Sequence, residues 1–166
     1  MARSAKQGFL DVYDREHAIT MKVLRSYPTD RLDLRPHEQC RTARELGWVF
    51  VLERMLGTMV FNNRFPEQMT GETPEPPASW DEILDAVERS HQDFRELIDG
   101  TPDDALNDEV RFMTGPGTIG EISRIDWLWF LLHDEIHHRG QFSIYLRMAD
   151  GKVPSIYGPT ADEPWM

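Results

Sequence analysis

Four amphipathic segments with helical spacing, three Ser/Thr-x-x-Glu signatures and little strand-like alternation outside EVRFM predict an all-α chain of four helices. The first helix runs from about Phe9 to Ser26, with Phe9, Val12, Tyr13, Glu16, Ile19, Thr20 and Val23 on one face, and Pro28 ends it. The second opens at the Thr42-Ala43-Arg44-Glu45 box and continues to about Phe61. Its apolar stripe of Leu46, Val49, Leu56 and Val60 is interrupted by Glu53. The third opens at Ser79-Trp80-Asp81-Glu82 and runs to about Ile98, turning Ile83, Val87, Phe94 and Ile98 inward with His91 on the flank. The fourth and longest is expected to open at the third box, Thr118-Ile119-Gly120-Glu121, and to reach Met148. Its one break is Gly140, whose missing side chain suits a close neighbour.

The connections RFPEQMTGETPEPPAS and GTPDDALNDEVRFMTGPG read as long irregular loops, of the kind that serve as lids or crossovers. The proline-rich tail ADGKVPSIYGPTADEPWM reads as an extended strap. With 166 residues and no shift in composition, residues 1–166 are expected to form a single domain.

Eighteen basic against 29 acidic residues give a net charge of −11, which repels nucleic acid and anionic membrane surfaces alike. The longest apolar run, IDWLWFLL, contains Asp126 and is too short to span a bilayer. The N-terminus turns polar where a secretory signal needs its apolar centre, and the single cysteine, Cys40, suits a reducing compartment. A cytoplasmic location is expected.

The chemistry concentrates in HDEIHHRGQ on the fourth helix. On a wheel of about 100° per residue, Arg124, Glu135, Arg139 and Arg147 fall on one side. Trp127, Phe130, Leu131, Asp134, His137, His138, Gln141 and Tyr145 fall on the other, taken as the core face, with His133 nearer the margin. Two pairs have the i, i+4 spacing that lets side chains on successive turns share an ion: Asp134 with His138, which the wheel favours, and His133 with His137. Sinking such groups into an apolar stripe is unfavourable unless something pairs with them, and a divalent metal does so. A polar network closed by Arg139 on Asp134 or Glu135 is the competing reading.

The run WLWFLLHDEIHHRGQFSIYLRMADGKVPSIYGP, from Trp127 to Pro159, resembles the C-terminal part of the DinB-like superfamily. REHAITMKVLRSYP and RTARELGWVFVLERML resemble that family's first two helices. The resemblance implies a four-helix bundle of up-down-down-up topology, often a homodimer, with a divalent metal (Zn, Ni or Mn) held by one histidine on the second helix and an H-x-x-x-H pair on the fourth. His138 matches the last of these. The first member of the pair falls on Asp134, and the second-helix position falls near Trp48 or Val49, neither of which can ligate. A substitute must come from elsewhere on the inner surface. With the first two helices antiparallel, His17 lies level with Val49 to Glu53, so His17 or Glu53 is the candidate.

The resemblance further implies a transferase or hydrolase acting on small electrophiles with a low-molecular-weight thiol cosubstrate, such as mycothiol or bacillithiol. Gln141, Tyr145 and His137 would then orient substrate or ligands. The alternative is a non-catalytic dimeric bundle, with a role in binding or stress response, that has lost part of the metal site. Cys40 lacks a fixed histidine partner, His37 follows Pro36 in a loop, and His91 reads as a core-flank residue.

Overall fold

The structure, a computed structural model, describes residues 3–65 and 72–166. Helix α1 spans Ala5–Arg25, α2 Ala43–Phe61, α3 Trp80–Asp99 and α4 Arg124–Met148. Local chemistry explains where three of them start. The Ser4 side chain accepts the Gln7 N–H. Thr42 and Glu45 form a complete reciprocal capping box at α2, and Ser79 accepts the Glu82 N–H at α3.

The fourth start differs from expectation. The stretch holding the Thr118 signature is a strand, β2 (Thr118–Ser123), paired antiparallel with β1 (Glu109–Gly115) in a hairpin. The chain turns at Pro116-Gly117, where Gly117 takes φ +66°, a conformation natural to glycine. Strand pairing overrides the cap because the alternation of EVRF sends Val110 and Phe112 into the core. Phe112 packs there against Trp127 and Phe65. Ser123 caps α4 instead, accepting from the Asp126 N–H and donating to its carboxylate at 2.6 Å. The connection between α3 and α4 is thus an ordered hairpin preceded by a short 3-10 turn, Asp104–Asn107. The middle of the expected α2–α3 loop, residues 66–71, lies outside the described residues.

Helices α1 and α2 each pack on both α3 and α4. Phe9 meets Trp129 and Tyr27 meets Phe142, so α1 and α4 run parallel. Gly47 faces Trp80 and Gly57 faces Phe94, so α2 and α3 run parallel. Trp80 Nε1 donates to the Leu24 carbonyl while Lys6 reaches the Asp99 carbonyl, which sets α3 antiparallel to α1. The topology is up-down-down-up. Among the helix glycines the close approaches belong to Gly47 and Gly57, whereas Gly140 has open space around it, contrary to the expectation placed on it.

The core is divided in two. One apolar cluster gathers Met21, Leu24, Phe50, Trp80, Ile83 and Phe142; the other gathers Phe9, Tyr13, Phe61, Phe94, Trp127 and Leu131. Each large side chain so buried contributes about 1.5–3 kcal/mol. The buried polar and charged residues come from all four helices: Glu16, His17, Thr20, Glu53, Arg54, His91, Glu135 and Arg139. The C-terminal segment is a strap without helix. Val153 and Ile156 pack on the first cluster, and Lys22 and Arg147 pair with Glu163 and Asp162.

Candidate metal centre

Beside the stacked pair of His17 and His91, the buried and half-buried polar residues form three groups. In the first, Arg54 Nη2 donates to Glu135 Oε2 at 2.9 Å, Nε to the Tyr13 hydroxyl at 3.1 Å and Nη1 to the Phe50 carbonyl at 2.7 Å. Thr20 donates to the other Glu135 oxygen at 2.9 Å. Burial opposes the Arg54 charge, but Glu135 and Tyr13 outweigh it and the guanidinium is held even more firmly protonated than usual. Burial pushes the Tyr13 hydroxyl up to about 12. In the second group, Arg139 donates to Glu16 Oε2 at 2.8 Å and to the Tyr157 hydroxyl, which the strap delivers. Burial raises the Glu16 carboxyl, yet hydrogen bonds from Tyr157 and Arg139 prevail and hold it below its ordinary range.

These pairs correct the wheel. Glu135 and Arg139, assigned there to the polar side, are buried, and Phe130, assigned to the core, is 48% exposed. The reason is packing: α4 touches α1, α2, the hairpin and the 3-10 turn, so its buried arc is wide and includes a strip facing α1 that must carry paired charges.

The third group is Glu53, Asp134 and His138. One donor atom from each lies within 4.8 Å of the others, and they form the one set of three potential ligands found among the described residues. The His138 Nε2 stands 3.5 Å from Glu53 Oε1 and 3.8 Å from Asp134 Oδ1. The side chains are 8%, 44% and 15% exposed in sequence order, so the cluster is closed by α2 and open past Asp134. Glu53 Oε1 is buried and has no hydrogen-bond partner. Burial, then the charges of Glu135 and Asp134, push its carboxyl well above the ordinary range.

These residues fit a divalent cation. Two donors about 2.1 Å from one ion at a tetrahedral angle are about 3.4 Å apart, close to the spacings seen here. A buried carboxyl beside a second carboxylate and an imidazole must be neutralised, by a proton, as its raised titration shows, or by a cation held among the three.

The other sequence candidates lie elsewhere. His17 is not in this group: its ring stacks on His91 at 3.7 Å, with Nδ1 3.4 Å from Arg54 and Nε2 3.5 Å from Glu88. Burial first, then Arg54, holds His17 below its usual range. Burial, then His17, Arg54 and Arg95, does the same to His91, whose Nε2–H donates to Asp14 at 3.1 Å. His133 and His137 are exposed and join no cluster of three. Tyr145 donates to the Arg41 carbonyl at 2.8 Å, which ties it to the start of α2, away from the cluster. Trp48 donates to the Pro74 carbonyl and Val49 is buried, so neither faces the cluster as a donor. His37 is exposed, and Cys40 is a free thiol on a cavity of about 690 Å³. That cavity is lined also by Pro36, Arg41, Gln141, Ile144 and Tyr145, so Gln141 stands between it and His138.

The fold has known counterparts. Residues 13–142 match the family model of the DinB superfamily. The chain belongs to the DinB superfamily. A Bacillus subtilis relative, "Uncharacterized protein YrdA", is 27% identical over 156 residues, which are 93% of this chain and 89% of the relative. Among solved structures, a DinB-like protein from Bacillus cereus superposes with a TM-score of 0.76 at 24% identity, covering 91% of this chain and 97% of that one. The DinB-like protein YjoA from Bacillus subtilis gives 0.70 at 16% identity, covering 90% and 97%. Likenesses this distant share the DinB fold. No helix among the described residues is long and apolar enough to cross a membrane.

Proposed function

We propose that this DinB-superfamily protein is a metal-dependent enzyme, a transferase or hydrolase that joins a small electrophilic substrate to a low-molecular-weight thiol or to water. The observation that carries this reading is the orphaned Glu53 Oε1 facing Asp134 and His138. Glu53 supplies the second-helix donor that the sequence lacks at Trp48 and Val49, and Asp134 with His138 supplies the i, i+4 pair of the last helix. Two carboxylates and one imidazole favour manganese over softer thiophilic ions, with zinc next. A bound divalent ion supplies Lewis acidity that eases loss of a thiol or water proton. The chain's own part is to hold the donors, screen them behind α2 and leave an approach past half-exposed Asp134. The neighbouring cavity, about 690 Å³, is of the size that takes small molecules.

A second reading, a non-catalytic bundle, draws on the ion pairs Arg54–Glu135 and Arg139–Glu16, which show that this chain pairs its buried charges internally. Thermal melts separate the two. Chelator-treated protein given manganese or zinc at about 100 times Kd gains about 2.7 kcal/mol, and His138→Ala abolishes that gain. An unchanged melt with either metal, together with a large loss of stability in His138→Ala, supports the bundle reading instead.

A further inference from the structure

Gln141 is exposed on α4, one turn beyond the cluster, yet both ends of its amide are engaged. Its Oε1 lies 2.9 Å from His138 Nδ1, and its Nε2 lies 2.9 Å from His137 Nε2. An amide oxygen only accepts and an amide nitrogen only donates. His138 Nδ1 must therefore carry a proton. In a neutral ring this leaves Nε2 with a bare lone pair, directed at Glu53 Oε1 and Asp134 Oδ1. Likewise His137 Nε2 accepts, so the proton of its neutral ring sits on Nδ1. His137, exposed and not a ligand, faces the amide nitrogen and completes the chain His138–Gln141–His137.

We infer that Gln141 is a positioning residue which selects the Nδ1–H form of His138 and thereby turns Glu53, Asp134 and His138 into three lone-pair donors aimed at one point. With the amide reversed, its NH2 would donate to His138 Nδ1 and the proton would move to Nε2, facing Glu53. The same three residues would then form a self-satisfied hydrogen-bonded network with nothing left to offer a cation. The orientation of one exposed amide thus biases the cluster towards metal binding or towards a closed hydrogen-bonded form. The inference rests on the metal reading for its purpose and not for its test, since the tautomer is measurable without metal.

The experiment uses the full chain, labelled with 15N at histidine, in wild-type, Gln141→Leu and Gln141→Glu forms, each also titrated with manganese alone. Two-bond couplings from the His138 ring protons identify which nitrogen is protonated, and Gly140→Ala, another exposed change nearby, serves as control. The wild type is expected to show the Nδ1–H form. Gln141→Leu, having lost the acceptor, should shift towards Nε2–H and weaken manganese binding roughly 10–100-fold. Gln141→Glu, which keeps an acceptor, should retain the tautomer and bind within a few-fold of wild type or tighter. Nε2–H in the metal-free wild type, or an unchanged tautomer and affinity in Gln141→Leu, overturns the inference. An Nδ1–H His138 that Gln141→Leu shifts, in a protein that takes up no manganese, upholds the inference and removes the metal reading.

Discussion

Replacing Glu135 by glutamine keeps the shape of the side chain and removes its charge. In the folded protein Arg54 is fully enclosed and its partner is Glu135 at 2.9 Å, both side chains almost wholly buried. The other groups on Arg54, the Tyr13 hydroxyl, the Phe50 carbonyl and the His17 ring, carry no negative charge, so the guanidinium loses its hydrogen-bonded carboxylate. Breaking such a pair from one side destabilises by about 3–5 kcal/mol. In a chain of this length that lowers Tm by about 6–20 °C. Arg54→Met should fall in the same range, because it strands the Glu135 carboxylate. The double variant Arg54→Met/Glu135→Gln should recover most of the loss. A remaining deficit of about 1–3 kcal/mol is expected from the Tyr13 hydroxyl, which loses its partner. Urea unfolding followed by tryptophan fluorescence gives all four values and hence the coupling energy. Single variants within 1 kcal/mol of wild type, or a double variant equal to the sum of the singles, would refute the claim that this pair closes the buried polar set.

The stacked His17 and His91 make stability fall with acid. Both are depressed below their unfolded value of about 6.5, so their contribution is complete above that pH and lost as pH drops beneath it. The slope is at most about 1.4 kcal/mol per pH unit for each, and His91→Phe should lessen it in urea titrations between pH 6 and 5. Tyr157→Phe should destabilise by about 1 kcal/mol and, by letting the Glu16 carboxyl rise towards its unfolded value, move the acid-unfolding midpoint to higher pH; a midpoint that stays put refutes the strap's role. Two of the helix glycines should respond oppositely in thermal melts. A Cβ at Gly47 would stand 2.5 Å from the buried Trp80 ring, so Gly47→Ala should lose about 1–3 kcal/mol, while Gly140→Ala should gain about 0.5–1 kcal/mol.

The helices were legible because caps and apolar spacing are local: Thr42 with Glu45 and Ser79 with Glu82 mark the starts of α2 and α3. The Thr118 signature misled because a hairpin partner satisfied the same backbone groups, and the alternation of EVRFM was the cue to it. Asp134, His138 and Glu53 were identifiable from i, i+4 spacing and from an acid in an apolar stripe. Their meeting depends on the angle between α2 and α4, which no local pattern encodes. The Arg54–Glu135 and Arg139–Glu16 pairs escaped detection because a wheel assumes that charge faces water. The adjacency of Glu53 and Arg54 within a buried stretch was the available hint. Tyr157 was out of reach, since the path of the strap follows from packing against α1 and α4.

A manganese-soaked crystal and its anomalous difference map decide whether Glu53, Asp134 and His138 hold a cation. One strong peak is expected about 2.0–2.2 Å from a carboxylate oxygen of Glu53, a carboxylate oxygen of Asp134 and Nε2 of His138. A featureless map there, with the Glu53 carboxyl hydrogen-bonded to His138 or turned to Arg54, would contradict it.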